Sequence, residues 1–360
     1  MGGMRMKSDS VQPLRVGVGT NGPACRMISG HGRTRLVLSP LLPSGLMPGL
    51  MAALILILMA GLWPFQSLAD PASRLRVFAS VLPLQYLVQQ VGGEQVQVEV
   101  MVLPGQSPAT YEPRPRQVAA LAQADLYVRV GVPFEDAWMR RIRAANPDME
   151  ILDARDGLTL RPMEAHRHGD DETRHHHHHP RAEEAGEHGG EFDAHVWTSP
   201  RLVRQMAERI RDRLSALDPD HAETYRANQQ AFDQELAALD AELAEQLRDL
   251  EQRAFLVYHP AWGYFADAYD LRQIPVEFEG KEPSARQLAR LIEQAETLGI
   301  RTVVVQPQFD QRAAERLARA INGRVASVDP LSVEYAANLR ALAAVIAEGT
   351  QANPSANAGE

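Results

Sequence analysis

Hydrophobic and polar positions follow two periods along most of the chain, one typical of strands and one typical of helices. Short apolar runs such as 75–81 and 96–103 predict buried strands, and between them apolar residues recur at intervals of three and four, which predicts amphipathic helices. The same patterns predict further strands at 125–131, 149–152, 254–258, 274–278, 302–305 and 324–328. Because the strands alternate with helices, we expect an α/β fold with parallel sheets.

One helix is predicted to be much longer than the others. After Asp218-Pro219, apolar residues recur at threes and fours from Tyr225 to Leu250, with acidic and basic residues between them. A helix of about 32 residues would be about 48 Å long. We therefore predict two Rossmann-like α/β lobes, each with a parallel sheet, joined by one long rigid α-helix.

This interpretation divides the chain into five parts. They are a leader with a secretory signal peptide (1–69), an N-terminal α/β lobe (70–212) that includes a His-rich loop (164–190), a long linker helix (213–252), a C-terminal α/β lobe (253–350) and a disordered tail (351–360).

The leader is predicted from a single apolar run. Residues 46–65 are almost wholly apolar, and the small residues of 66–69 are of the kind that a signal peptidase recognises, so we expect cleavage after Ala69. The run is also long enough to span a bilayer, which makes an uncleaved membrane anchor the alternative. The only cysteine, Cys25, lies in the leader. Export would therefore yield a soluble periplasmic protein with neither a disulfide nor a lipidated cysteine.

The charge of the chain excludes some classes of partner. The full chain has 37 Lys/Arg and 46 Asp/Glu; residues 1–69 hold six of the former and one of the latter, so the remainder carries a net charge of −14. An acidic exported protein is unsuited to nucleic acid and to anionic membrane surfaces, and it is suited to cations.

A histidine-dense segment interrupts the first predicted lobe. Eight of the twelve histidines lie between 166 and 188, among acidic residues and almost without apolar side chains, so the segment cannot build a core. Imidazoles and carboxylates are ligands for zinc, whereas a solvated linker or a purification tag is the alternative. A tag would normally lie at a terminus. We predict an accessory, low-affinity metal site formed by His166, His168, His175, His176, His177, His178, His179 and His188.

Polar residues also follow several predicted strands directly. They are the loop 104–115, His259, Gln306 and Asp329. Ligands of open parallel sheets bind at the carboxyl ends of the strands, so these residues and His195 would meet in one cleft if the two lobes face each other. From local sequence alone, each histidine could instead satisfy backbone groups, Asp329 could only form a turn, and the glutamine is better suited to orienting other ligands.

Six motifs occur in a fixed order along residues 72–350. They are Pro104-Gly-Gln-Ser-Pro-Ala-Thr-Tyr-Glu-Pro113, Asp193-Ala-His-Val-Trp197, Tyr258-His259, Gly280-Lys-Glu-Pro-Ser284, Gln306-Pro-Gln308 and Asp329-Pro-Leu331. In this order and spacing they resemble the metal-binding substrate-binding proteins of ABC importers, and most closely the periplasmic zinc-binding (ZnuA-like) components of the zinc/manganese family. The resemblance implies a monomeric binding protein, not an enzyme, that captures Zn²⁺ and delivers it to a permease at the inner membrane.

The same resemblance implies a metal held between the lobes by His195, His259 and Asp329. Family members usually contribute one more histidine, at the position that Ala109 occupies here, and alanine cannot coordinate a metal. Tetrahedral zinc needs a fourth donor, which would be a water, Glu112 or another group of the same loop, or a histidine of the His-rich loop. Water or Glu112 is favoured, because ordering a long loop costs entropy.

Other metals and other functions remain as alternatives. Two imidazoles and a His-rich loop favour zinc over manganese or ferrous iron. A periplasmic metallochaperone, a storage protein or a surface adhesin would bind metal with the same residues. A zinc hydrolase would use the open coordination position for water with Glu112 as base, but the chain has no His-Glu-x-x-His helix, and ligands divided between two lobes suit capture and release better.

Overall fold

The structure, a computed structural model, describes residues 74–163, 192–277 and 280–350. The predicted leader and its cleavage after Ala69, the histidines between 166 and 188, and the predicted tail 351–360 lie outside these residues and stay predictions. In the described ranges, no helix combines the length and the apolar character that crossing a membrane requires.

The first lobe is built on a parallel sheet with the strand order β2-β1-β3-β4. Its strands are β1 (Leu75–Ala79), β2 (Val96–Val100), β3 (Leu126–Arg129) and β4 (Glu150–Asp153). Its helices are α1 (Leu82–Gly92), α2 (Pro115–Leu121), α3 (Pro133–Ala145) and α4 (Pro200–Leu217). The chain leaves β1 toward β2 on one side and returns to β3 on the other, so a crevice opens at the carboxyl ends of β1 and β3.

The second lobe repeats this arrangement, with the strand order β6-β5-β7-β8 and all strands parallel. Its strands are β5 (Ala254–Val257), β6 (Arg272–Pro275), β7 (Thr302–Val305) and β8 (Arg324–Ser327). Its helices are α6 (Gly263–Ala268), α7 (Ala285–Thr297), α8 (Arg312–Ala320) and α9 (Tyr335–Thr350). The crevice of this sheet lies between β5 and β7, and His259 and Gln306 follow those two strands.

The long helix, α5, spans Ala222–Gln246 and contains 25 residues, after a 3₁₀ turn at Pro219–His221. At ~1.5 Å per residue it is about 37 Å long, so the predicted length of about 32 residues was wrong. The hydrophobic periodicity overestimates the helix length because Leu247 is buried and continues the apolar stripe after the helix has ended. Helix α5 packs on α1 and α4 of the first lobe and on α9 of the second, which confirms the prediction of one long helix that joins the lobes.

Two other elements differ from the sequence-based expectation. Helix α9 was not predicted, because its many alanines weaken the contrast between apolar and polar positions, although Leu339, Leu342 and Ile346 are buried. Strand β6 begins at Arg272, two residues before the predicted start, and ends at Pro275. As a result, Glu277 lies beyond the carboxyl end of the strand.

The two lobes are held together by buried contacts close to their facing edges. The Trp197 indole is 1% exposed, and its Nε1 donates a hydrogen bond to the carbonyl oxygen of Pro330 at 2.7 Å. The Tyr264 hydroxyl donates to the carbonyl oxygen of Asp193 at 2.9 Å. One hydrophobic core cluster contains residues from both lobes. The lobes therefore share a core and face each other at the edges where their strands end.

Candidate metal centre

A cavity of about 180 Å³, here called the cleft cavity, lies between the carboxyl ends of the two sheets. Its first-lobe wall contains Ser107–Ala109, Gly131–Pro133 and His195. Its second-lobe wall contains His259, Gln306, Gln308, Phe309 and Pro330-Leu331. The segments that follow β2, β3, β5, β7 and β8 thus meet in one place, as the strand-end pattern predicts.

Two imidazoles from different lobes face each other in this cavity. The ring centroids of His195 and His259 are 5.3 Å apart, and the ring planes make an angle of 71°. Phe309 stacks on His259 with a centroid distance of 5.1 Å, and Trp197 lies edge-on to His195 at 5.2 Å. These aromatic neighbours restrict the rotation of both imidazole rings.

A buried carboxylate orients each imidazole. Asp193 Oδ1 lies 2.7 Å from His195 Nδ1, and Glu277 Oε1 lies 2.6 Å from His259 Nδ1. A carboxylate oxygen is placed to accept the Nδ1 hydrogen of each ring, and in a neutral ring this arrangement puts the lone pair on Nε2. A carboxylate behind the ring is the usual support of a histidine that binds zinc. The chain therefore presents two Nε2 donors in a fixed orientation.

Asp193 remains ionised although it is fully buried. Burial by itself would raise the pKa of this carboxyl group, but the charge and hydrogen bonds of His195 and the cation Arg161 outweigh burial and lower the pKa. The backbone N–H of His195 donates to Oδ1 at 2.9 Å, and Arg161 Nη1 lies 3.5 Å from Oδ2. The carboxylate is thus held as an acceptor for the His195 ring.

The separation of the two imidazoles fits a tetrahedral zinc ion. With a Zn–N distance of about 2.1 Å and about 1.1 Å from Nε2 to the ring centre, the ion would lie about 3.2 Å from each centroid. A tetrahedral angle then places the centroids about 5.2 Å apart. The observed separation of His195 and His259 is 5.3 Å. The centroid separation is therefore compatible with two imidazoles on one tetrahedral zinc ion.

Asp329 lies beside the cavity and does not line it, although the next two residues do. Its Oδ1 accepts hydrogen bonds from Gln308 Nε2 at 2.8 Å and from the backbone N–H of Leu331 at 2.9 Å. Within the part of the chain that the structure describes, no three His, Cys, Asp or Glu side chains lie close enough together to hold a metal. Of the trio expected from the resemblance, the structure brings the two histidines together.

The loop after β2 places Ala109 and Glu112 differently. Ala109 lines the cleft cavity, but Glu112 does not, and its side chain is exposed. The neighbours of Glu112, Tyr111 and Pro113, are both buried, so the intervening side chain points away from the protein. The structure therefore does not bring the proposed fourth ligand Glu112 to the cavity.

Gln306 holds the His259 segment in place. Its Nε2 donates to the carbonyl oxygen of His259 at 2.8 Å, and its Oε1 accepts the backbone N–H of the same residue at 3.3 Å. Gln306 is 1% exposed. Like Gln308 beside Asp329, this amide orients a candidate ligand, which is the role that the sequence favours for the glutamines.

Sequence reasoning did not assign the two orienting carboxylates. Asp193 was visible only as part of the Asp193–Trp197 motif, and nothing local shows that its side chain turns back to the ring two residues later. Glu277 follows β6, which is the neighbour of β5 in the sheet. The strand-end rule that selected His259 would have selected Glu277 too, if the end of β6 had been placed correctly.

Replacing Glu277 with glutamine should weaken zinc binding by about 10- to 100-fold, because the amide no longer fixes the hydrogen of His259 on Nδ1. The measurement is the zinc dissociation constant, obtained by competition with a chelator. Glu293→Gln in α7, an exposed position, is the matched control and should not change affinity. Equal affinities of the Glu277→Gln variant and the unchanged protein would show that Glu277 does not support the ligand.

A third buried carboxyl group organises the cavity wall of the first lobe. Glu135, fully buried at the start of α3, accepts the backbone N–H groups of Gly131 at 2.6 Å and Val132 at 3.1 Å. It also accepts the Tyr127 hydroxyl at 3.1 Å. Burial raises the pKa of Glu135 to about 7, although Arg129 and these hydrogen bonds act to lower it. The turn that lines the cavity is thus tied to a group that titrates near neutral pH.

The folded state holds the Glu135 proton more tightly than the unfolded state, whose pKa is 4.5. The stability that this carboxyl group contributes is therefore present below pH 4.5 and is lost as the pH rises through about 7. Relative to Glu135→Gln, the free energy of unfolding should fall by about 2–3 kcal/mol from about pH 5 to 8. Urea denaturation at several pH values measures this difference. The same difference taken against the exposed Glu112→Gln variant should not change with pH, because that variant keeps Glu135. A pH-independent difference between the unchanged protein and Glu135→Gln would refute the assignment.

Comparison with known proteins agrees with this geometry. A sequence model of the family described as "Zinc-uptake complex component A periplasmic" matches residues 77–349. The zinc-binding lipoprotein AdcA of Streptococcus pneumoniae (strain ATCC BAA-334 / TIGR4) is 30% identical over 262 residues, which are 72% of this chain and 50% of AdcA. The chain thus spans about half the length of this curated relative.

Two solved structures are similar over most of the chain. A crystal structure of ZnuA is 37% identical, with a TM-score of 0.69, and the match covers 77% of this chain and 100% of that one. A deletion mutant of ZnuA with zinc bound is also 37% identical with a TM-score of 0.69, covering 78% of this chain and 100% of that one.

Proposed function

Because this chain belongs to the family of periplasmic zinc-uptake complex component A, we propose that it captures Zn²⁺ in the cleft cavity and delivers it to an ABC permease. The observation that carries this proposal is the pair His195 and His259. They come from different lobes, their centroids are separated by 5.3 Å, and a buried carboxylate orients each ring. Such a pair can capture an ion between two surfaces and release it when the surfaces move.

Membership of this family confirms the prediction of a binding protein and not an enzyme. The zinc hydrolase alternative is therefore wrong. A role in import is favoured over storage or adhesion, since the family is that of a component of an uptake complex.

Within the cavity, His195 and His259 would bind zinc through Nε2, and Asp329 would supply a third donor. The hydrogen bonds that orient Asp329 both end on Oδ1, so Oδ2 is the atom that would bind the ion once this side chain turns into the cavity. A carboxylate together with two neutral imidazoles is a donor set that suits zinc. A water or another small donor would complete the coordination.

Zinc capture would involve limited movement of the lobes. Helix α5 packs on both lobes, and the Trp197–Pro330 hydrogen bond joins them beside the cavity. Release would then depend on contact with the permease near the cavity mouth, where exposed Phe192 lies.

Diffraction from crystals grown with zinc tests the site, with data collected on both sides of the zinc absorption edge. One strong anomalous peak is expected between Nε2 of His195 and Nε2 of His259. A main peak outside the cleft cavity would contradict the proposal, whichever metal produced it.

The histidines between 166 and 188 would form the accessory sites. A variant that lacks residues 166–188 should bind fewer zinc equivalents in a titration and should keep one tight equivalent, because His195, His259 and Asp329 remain. Loss of the tight equivalent would instead show that a histidine of that segment is a ligand in the cleft.

A further inference from the structure

The cleft cavity is larger than a zinc ion requires. Its volume is about 180 Å³, well above the ~10–15 Å³ that is enough to hold one water molecule. Among the described residues that line it, the only side chains that bind zinc strongly are His195 and His259. The cavity thus offers two fixed donors and room for a molecule larger than water.

Apart from Ser107, Gln306 and Gln308, the remaining walls that the described residues form are apolar. They are formed in large part by Ala109, Val132, Met163, Phe192, Phe309 and Leu331. Such walls offer few hydrogen bonds to water molecules, whereas they favour a ligand with an apolar body and one or two polar atoms. Phe309 already stacks on one planar imidazole, that of His259.

The loop that carries Ala109 is held in place and brings no donor side chain to the cavity. The backbone N–H of Phe134 donates to the carbonyl oxygen of Pro108 at 3.2 Å, and the Tyr111 ring packs edge-on to Phe134 at 5.4 Å. The backbone N–H of Ala109 donates to Ser107 Oγ at 3.3 Å. At this wall Ala109, which is also partly open to solvent, presents only a methyl group to the cavity.

Even with Asp329, the described residues supply three donors, and tetrahedral zinc takes four. We propose that a small exogenous imidazole compound occupies the space beside Ala109 and supplies the fourth donor, so that the protein captures zinc together with this ligand. The inference rests on the proposed zinc function. A neutral planar ring with one lone-pair nitrogen supplies the fourth zinc donor, fills the apolar space, and adds no charge beside Asp329.

The test measures the zinc affinity of the full exported chain as the concentration of free imidazole is raised, with free zinc fixed by a chelator buffer. If imidazole binds the zinc-loaded site with a Kd on the order of 1 mM, about 10 mM imidazole should tighten zinc binding about tenfold. X-ray absorption at the zinc edge should show one additional imidazole ligand under the same conditions.

Two variants of one residue and a neighbouring control make the test specific. Ala109→His supplies the imidazole from the chain, so it should bind zinc more tightly without imidazole and should lose the response to it. Ala109→Leu fills the space without adding a donor, so the response should also disappear. Thr110→Leu, at an exposed position that does not line the cavity, should keep the response.

The outcomes separate this inference from the zinc function. If one zinc binds tightly and imidazole changes neither the affinity nor the absorption spectrum, the inference is overturned and the zinc function stands. If a response appears only after deletion of residues 166–188, the chain itself supplies the third imidazole, which also overturns the inference. If no tight zinc binds with or without imidazole, the zinc function fails as well.

Discussion

A chain with both His195 and His259 replaced by alanine should lose its tight zinc equivalent. Structural zinc sites bind with about 10–16 kcal/mol shared among four donors, so loss of two imidazoles should weaken binding by about 10³-fold or more. The two rings are the only described zinc-binding side chains that line the cavity, and each Nε2 is directed by a carboxylate on Nδ1. Chelator competition followed by isothermal titration measures the loss.

The matched control for this experiment is His221→Ala. His221 also has its Nδ1 beside a carboxylate, Asp218 Oδ2, at 2.7 Å, but it lies outside the cavity. Its replacement should leave the tight zinc equivalent unchanged. A loss in the His195, His259 double variant could then not be explained as a general effect of removing a carboxylate-paired histidine. One tight equivalent that persists in the double variant would sink the proposal of a cleft site.

Replacing Trp197 with alanine should lower the free energy of unfolding by about 3–5 kcal/mol, the cost of removing a large buried aromatic side chain. Trp197 is 1% exposed, and its Nε1 donates to Pro330 in the other lobe at 2.7 Å. The variant therefore loses both core packing and an interlobe hydrogen bond. Urea denaturation, followed by circular dichroism, measures the change.

Trp197→Phe separates the two contributions. It keeps most of the aromatic packing and removes the indole N–H, which leaves the Pro330 carbonyl without its donor and should cost about 1–3 kcal/mol. Trp138→Ala is the control for loss of a tryptophan, because Trp138 is only partly buried and should cost less. Equal stabilities of Trp197→Ala and the unchanged chain would mean that this contact does not hold the lobes together.

Local periodicity predicted the eight strands and most helices, because a buried strand and an amphipathic helix each leave a regular pattern of side chains. It failed where a residue is buried without being helical. Leu247, for example, stays buried after α5 has ended. It also failed at α9, where alanines hide the boundary between the buried and the exposed face. Strand order and the packing of the lobes depend on contacts between distant segments, so only the structure shows them.

The candidate site was predictable to the extent that it follows strand ends. His259 and Asp329 follow β5 and β8, and His195 came from its motif. What the sequence could not supply was the direction of each side chain. Glu112 points outward because its two neighbours are buried, and Glu277 reaches His259 across eighteen positions of the chain. Such pairings exist only after the sheet has formed.

The contact between the lobes would also give a bound metal ion a mechanical role. Trp197 is two residues from His195, and Pro330 directly follows Asp329, so the segments that carry the candidate ligands also join the lobes. A bound ion would therefore act as a reversible crosslink between distant parts of a chain whose single cysteine, Cys25, cannot form an intramolecular disulfide. We expect the loaded protein to resist proteases longer than the unloaded one, so that its lifetime outside the cytoplasm reports how much zinc is present.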